Sequence, residues 1–308
     1  MSQSHRAKAA KKVREIERRK TDAGPEMEQE PSNYSLTYSS TYKGYRYNRS
    51  NHDLMGNVCK ELSNCHTNPR HENKGTINPK LQMKDKWFQT DQVVLATSGI
   101  NAIAMAFKLI MFENRFKLIN ILYSKELYCD TPRYIKYFNK LYGVSNIRAF
   151  DVLDPEGLKR LFSRDYNDQV NILFIESCSN PNGNIFDMSE IPKLRELSKK
   201  LYVIVDNTWL THVTFNPFEF DVDIVVSSMS KHYSLGKCIS GFVVLRNRMM
   251  ANNLHELNKM EGIHIPLPYC QIILDSLSKM DECVELAYVK TLQVAQYLES
   301  NKNVVKVN

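Results

Sequence analysis

Ile172-Leu173-Phe174-Ile175, Tyr202-Val203-Ile204-Val205 and Ile224-Val225-Val226 are apolar runs of strand length, and the chain beyond them carries Asn180, Asp206 and Ser228, with Lys231 just after. Buried strands seldom lead by chance into a carboxylate and then a lysine. Open α/β sheets bind ligands outside the carboxyl ends of their strands, so polar groups gathered there outline a candidate site.

Outward from this stretch the pattern repeats. On the N-terminal side, strands are expected at Gln92 to Ala96, Leu118 to Tyr123 and Ile147 to Phe150, alternating with helices at Asn101 to Phe112, Thr131 to Tyr142 and Pro155 to Phe162. On the C-terminal side, a helix from Ser189 to Lys200 carries Pro192 in its first turn, where a missing N–H does little harm. Phe242 to Leu245 is a further strand, and Cys270 to Ser300 reads as one helical segment closing the chain. This alternation predicts an α/β fold, a mainly parallel sheet with helices on both faces. The expected organisation is a basic, polar tail over residues 1–44, an N-terminal arm and helix over 45–90, a large domain over 91–265, and a helical start of a further domain over 266–308.

Composition narrows the function classes. The chain has 308 residues, 43% of them hydrophobic, enough for a substantial core. Its net charge of +7 suggests a nucleic-acid binder, but residues 1–20 hold eight Lys/Arg against two Glu, which leaves the rest of the chain at +1. A near-neutral body with a basic tail does not predict nucleic acid as a partner; a nuclear signal or RNA-binding arm in the tail is the minor reading. No apolar run reaches the ~18 residues of a membrane span and no signal peptide is visible, so a soluble, cytoplasmic protein is expected. The seven cysteines are odd in number and form no Cys-x-x-Cys pair, which fits reduced thiols. Cys59, Cys65, His66 and His71 match no standard zinc spacing, and no metal is expected.

The site chemistry suits a ligand with a phosphate and a carbonyl. Thr97-Ser98-Gly99-Ile100 lies where a strand feeds a helix, so the N–H groups of Gly99 and Ile100 would face whatever sits beyond the strand end. Ser228 and Ser230 add hydroxyls beside Lys231, which could be a surface lysine in a turn or, with its amine in a partly desolvated pocket, a usable nucleophile. Asp206 could cap the following turn, face water, or pair with a protonated ring nitrogen. Tyr128 could be core or a stacking platform over a flat ligand.

Several motifs together resemble the Cys/Met metabolism family of pyridoxal-phosphate enzymes, the fold-type I group of cystathionine lyases and synthases. They are Tyr45-Arg46-Tyr47-Asn48-Arg49, Ser98-Gly99-Ile100, Ile175-Glu176-Ser177-Cys178-Ser179-Asn180-Pro181, Val205-Asp206-Asn207-Thr208-Trp209 and Ser228-Met229-Ser230-Lys231. The resemblance runs from about Tyr45 to Asn308. It implies pyridoxal 5'-phosphate as cofactor, Lys231 as its covalent anchor and proton carrier, and Asp206 against the pyridine nitrogen. Tyr128 would stack on the ring and share in proton transfer, Gly99, Ile100, Ser228 and Ser230 would hold the phosphate, and Asn180 would lie near the cofactor. Tyr47 and Arg49 would reach a neighbouring subunit's phosphate, which implies a homodimer or homotetramer with shared sites. The implied activity is a carbon–sulfur lyase or transferase acting on a small sulfur amino acid: cystathionine, a homocysteine precursor or methionine.

Three departures qualify the resemblance. The family's Asn-Pro-Thr after the Tyr-x-Arg element is Asn51-His52-Asp53, and its Gly-His pair after the lysine meets Leu235-Gly236-Lys237. The sequence also stops at Asn308, where family members continue into a smaller domain that supplies the arginine clamping the substrate carboxylate. This leaves a second expectation, a truncated, non-catalytic relative serving as a binding or regulatory subunit.

Overall fold

The computed structural model describes residues 92–165, 169–277 and 279–307. The N-terminal tail and arm, Tyr47 and Arg49, and the Cys59–His71 cluster lie outside the described residues.

Seven strands form one sheet: β1 (Val93–Ala96), β2 (Ile119–Ser124), β3 (Asn146–Phe150), β4 (Val170–Glu176), β5 (Lys200–Asp206), β6 (Ile224–Ser228) and β7 (Gly241–Leu245). Their spatial order is β1-β7-β6-β5-β4-β2-β3. The β2–β3, β2–β4, β4–β5 and β5–β6 pairs are parallel, and β7 runs antiparallel to both β6 and β1. The sheet is thus mainly parallel, as the alternation predicts. Strand β4 is buried along its whole length, as expected of a strand covered on both faces.

Residues of one parity, Ile121, Ile172, Phe174, Ile204, Ile224 and Val226, join a core with helix α1 (Gly99–Glu113) and helix α2 (Asp130–Tyr142). Residues of the other parity, Leu122, Leu173, Ile175, Val203, Val205 and Val225, are equally buried outside that core. Helix α1 is apolar nearly all round because it lies against β6, β7 and β1, and Ala102, Ala104 and Ala106 allow it close to the sheet. Helix α3 (Pro155–Asp165) packs against helix α4 (Ile191–Leu197), which lies on β5.

Helix α4 is shorter than the Ser189-to-Lys200 helix that periodicity suggests. A 3-10 turn, Met188–Glu190, precedes it, with the Asp187 carboxylate accepting the Ser189 N–H. At the other end Ser198 is extended and buried, and its hydroxyl accepts a 2.9 Å bond from Asn171 Nδ2. Lys200 then pairs with Val170 in the sheet. Sheet pairing and a buried hydrogen bond override helix propensity here.

That bond is one end of a ladder of side-chain amides across the starts of three strands, buried at Asn120 and Asn171 and exposed at Asn146. Asn146 Nδ2 donates to Asn120 Oδ1 (2.9 Å), and Asn120 Nδ2 donates to Asn171 Oδ1 (2.9 Å) and Gln169 Oε1 (2.8 Å). The register sets it, since Asn120 lies opposite both Asn146 and Asn171.

After a short helix α5 (Thr211–Thr214), helix α6 (Arg248–Met260) follows β7. Sequence periodicity did not single out α6, although Asn247 caps it through Met249 and Met250 N–H groups and Met250, Ala251 and Leu254 form its buried side. The expected single helix from Cys270 to Ser300 is two, α7 (Leu267–Leu277) and α8 (Met280–Ser300). The Ser276 hydroxyl bonds back to the Ile272 carbonyl at 2.7 Å and lies 3.2 Å from the Ser234 carbonyl. Such back-bonding bends helices. Helix α7 groups with the sheet, whereas Asp281–Asn308 belongs to a separate compact unit.

Candidate active site

The carboxyl ends of β6, β5 and β4 present Ser228, Asp206 and Glu176 in a row. Side chains along a strand alternate in direction with period two. Ser228, Asp206 and Glu176 therefore share the face of Val226, Ile204 and Phe174, the face on which α1 packs. Asp206 stands opposite Glu176 in the parallel register.

The start of α1 closes over Ser228. Ser98 caps the helix, its hydroxyl accepting the Asn101 N–H at 3.0 Å. This leaves the N–H groups of Gly99 and Ile100 without an acceptor among the described residues. A Cβ on Gly99 would lie 2.7 Å from Ser228 Cβ, and one on Gly241 would lie 2.5 Å from the Ser98 carbonyl oxygen. Glycine at both positions lets the helix N-terminus, β6 and β7 meet at backbone contact. Two free N–H groups, a helix dipole and the Ser228 side chain then converge in a cradle for an anion.

Thr208 ties this cradle to Asp206. Its hydroxyl accepts the Ser228 N–H at 2.7 Å, while its own N–H donates to Asp206 Oδ1 at 2.9 Å. Burial pushes the Asp206 carboxyl above its usual range, against the Thr208 hydrogen bonds. Neither Asp206 nor Glu176 has an ion-pair partner among the described residues. Asn207, next in sequence, turns inward and donates to the Thr211 and Phe215 carbonyls.

Glu176 holds the opposite end of the row. It is 8% exposed, accepts the Tyr128 N–H at 2.6 Å and takes a second backbone N–H from Asn180. Burial, then the Asp206 charge, drive its carboxyl upward. Tyr128 is thereby positioned at the head of α2, and its ring lies 5.9 Å from Lys231 Nζ, measured to the centroid. Partial burial and Asp130 raise the Tyr128 phenol.

The β6–β7 loop carries Lys231. The Ser230 hydroxyl donates to the Ser240 carbonyl at 3.3 Å and accepts the Ser240 N–H at 3.1 Å, so it fastens the two ends of the loop together. Tyr233 is buried against Phe242, with its hydroxyl 3.3 Å from His212 Nδ1. The turn closes with Gly236 N–H on the Lys231 carbonyl, and Leu235 and Gly236 both take positive φ.

Gly99, Ile100, Ser228, Asp206, Tyr128 and Lys231 thus gather at one end of the sheet. Ser230 lies among them with its hydroxyl engaged by Ser240. Lys231 is exposed, not in the desolvated pocket its apolar approach suggested, because it stands on a surface loop held by its neighbours. The Asn180 side chain is exposed, and its backbone N–H makes the contact to Glu176. Glu176 and Thr208 were not singled out as site residues. The signal for Glu176 was available, since it ends an otherwise apolar strand just as Asp206 does. Nearby, the Glu126 carboxylate gathers Ser179, Asn182 and Asn184, which lower its pKa and fix the loop after β4. Among the described residues no cluster of metal-ligating side chains is found, and no helix is long and apolar enough to cross a membrane.

Comparison with known proteins agrees with this architecture. The family model for Cys/Met metabolism PLP-dependent enzymes matches residues 25–308. A cystathionine beta-lyase of Schizosaccharomyces pombe is 24% identical over 220 residues, covering 70% of this chain and 53% of that enzyme. Cystathionine gamma-lyase from Lactobacillus plantarum, solved with L-serine, superposes with TM-score 0.60 at 23% identity, over 70% of this chain and 54% of that one. A Campylobacter jejuni protein assigned as an O-acetylhomoserine (thiol)-lyase, which carries N'-pyridoxyl-lysine-5'-monophosphate, gives TM-score 0.60 at 21% identity, over 68% of this chain and 58% of that one. The structural likenesses establish the fold. The chain spans about half the length of the curated relatives it matches.

Proposed function

Because the chain belongs to the Cys/Met metabolism family of pyridoxal-phosphate-dependent enzymes, we propose that it acts as a carbon–sulfur lyase or transferase on a small sulfur amino acid, with Lys231 as the cofactor's anchor. The residues present fit the cofactor. The cradle at Gly99, which a single Cβ would fill, suits a phosphate, and the half-buried Asp206 carboxylate lacks a cationic partner among the described residues.

The observation that carries the reading is the approach of Lys231 Nζ to the Tyr128 ring, at the same end of the sheet as Asp206 and the start of α1. When bound, pyridoxal phosphate supplies an electron sink for the electrons released at the substrate's α carbon. Each residue then has a task of its own. The N–H groups of Gly99 and Ile100 and the Ser228 hydroxyl bind phosphate oxygens. The Asp206 carboxylate holds a proton at the ring nitrogen. The Tyr128 face covers the ring, and the Lys231 amine carries the covalent link and moves protons at the substrate carbons. Ser230 keeps the lysine loop closed, and Asn180 borders the substrate side. The resemblance assigns Tyr47 and Arg49 to a neighbouring subunit's phosphate site, which would require a homodimer or homotetramer. The relatives reported above are named as lyases, which does not favour a non-catalytic subunit.

Absorption spectroscopy tests the cofactor reading. The chain with pyridoxal phosphate should develop a visible band that Lys231→Ala abolishes; no band in the wild type, or an unchanged one in the variant, refutes it. Incubation with cystathionine, homocysteine precursors and methionine, following released oxo acid or thiol, tests the reaction. A loaded protein that turns over none of them refutes the lyase assignment.

A further inference from the structure

Asp206 does not stand alone. Glu176 lies opposite it in the β4–β5 register, on the same face and one strand farther from the phosphate cradle. The link continues through the backbone, because Ser177 N–H donates to the Asp206 carbonyl at 2.9 Å. Two carboxylates side by side, one buried and one half-buried, without an ion-pair partner among the described residues, cannot both ionise cheaply. One of them keeps a proton.

The surroundings decide which. Asp206 receives the N–H of Thr208 and the hydrogen bond of its hydroxyl, which favour the ionised form. Glu176 receives the N–H groups of Tyr128 and Asn180, but its residue leaves less surface exposed to water and it feels the Asp206 charge. The other titratable groups around it are the Tyr128 phenol, the Cys178 and Cys129 thiols, Glu126 on the loop leading into α2, Asp130 at the first position of α2, and Lys231, whose amine lies over the Tyr128 ring. Helix α1 brings no titratable side chain between Gly99 and Phe107. Among these described groups only Lys231 is cationic, and its amine lies 5.9 Å from the centre of the Tyr128 ring.

We infer that Glu176 is a positioning residue that keeps a proton beside ionised Asp206, so that the pair presents a single negative charge to a protonated ring nitrogen. Through its bond to the Tyr128 N–H, the same side chain fixes the tyrosine on which the ring would lie. This rests on the cofactor reading above. A neutral Glu176 supports a cation at Asp206 while adding no second charge to repel the phosphate.

The test is infrared titration of the full chain without cofactor, followed by loading with pyridoxal phosphate. A protonated-carboxyl band should persist at pH 7, titrate out near pH 8, vanish in Glu176→Gln and survive loading. In Asp206→Asn the band should remain but titrate lower by about one pH unit or more, because the neighbouring charge is gone. Persistence of the band in Glu176→Gln overturns the inference, as does its absence from the wild type or an unchanged midpoint in Asp206→Asn. Should Glu176→Gln fail to fold, the Asp206→Asn midpoint decides by itself. The titration needs no cofactor, so failure of pyridoxal phosphate to bind would refute the proposed function separately.

Discussion

Replacing Gly99 by alanine tests the cradle directly. The added Cβ would lie 2.7 Å from Ser228 Cβ, 3.1 Å from its Oγ and 3.2 Å from its Cα. Carbon–carbon contacts relax at about 3.5–4.0 Å, so roughly 1 Å of separation is required. Ser228 cannot supply it, since it is paired with Gly241 across the sheet and bonded through its N–H to Thr208. The start of α1 must move instead. Overpacking of this kind costs about 1–3 kcal/mol, with a fall in Tm of roughly 2–4 °C for each kcal/mol. The displacement also carries the Gly99 and Ile100 N–H groups away from the anion. Hydrogen bonds to charged groups contribute about 1.5–3 kcal/mol each, and losing the equivalent of one weakens binding roughly 10- to 150-fold. The assay is titration of the cofactor-free chain with pyridoxal phosphate and with pyridoxal, which lacks the phosphate. The loss should appear with the first ligand and not with the second. Adding Ser228→Gly relieves the closest contacts, so the double variant should regain thermal stability without regaining phosphate affinity. If Gly99→Ala binds pyridoxal phosphate as tightly as wild type at unchanged Tm, the cradle argument is wrong.

Three other outcomes follow from the same geometry. Thr208→Val strands the Ser228 N–H and removes the hydroxyl's bond to Asp206 while keeping the backbone N–H on its Oδ1, so chemical denaturation should show a loss of about 1–3 kcal/mol; wild-type stability would mean the bridge is incidental. For the cofactor-free chain, the pKa of Glu176 rises from 4.5 to about 8 on folding, so the folded state keeps a proton that the unfolded state has released. Its contribution to stability is full below about pH 4.5, is lost as the pH rises towards 8, and is flat beyond. Tm measured against pH should fall over that window, and Glu176→Gln should level the slope. Asn120→Ala removes the centre of the amide ladder, with the bonds that Asn120 makes to Asn146, Asn171 and Gln169, and should cost about 1–3 kcal/mol; a stability loss below about 1 kcal/mol would show that water replaces it readily.

Much of the sheet was legible from local pattern. Strands such as β4 and β6 are continuous apolar runs between polar turns, and burial of both sheet faces demands that composition wherever the strands lie in space. Helix limits were less legible. Ser198 ends α4 because it reaches an asparagine on β4, and Ser276 at the end of α7 also reaches a carbonyl on the lysine loop; neither partner is near in sequence. In the site, Asp206, Ser228 and Lys231 announce themselves as polar residues after apolar runs. Tyr128, as a stacking residue, drew its force from the resemblance, and the engagement of Ser230 with Ser240 was invisible in either.

By itself the sequence determined the class of fold, the family and the identity of the polar groups at the strand ends, because period and composition are properties of neighbouring residues. Only the tertiary structure decided how those groups relate. The β4–β5 register sets Glu176 against Asp206, and contact between the start of α1 and β6 makes Gly99 indispensable at its position. The β6–β7 hairpin brings Lys231 over Tyr128. Each is a long-range relation that no stretch of neighbouring residues encodes, and a one-residue slip of β4 would have turned Glu176 to the other face of the sheet, away from Asp206.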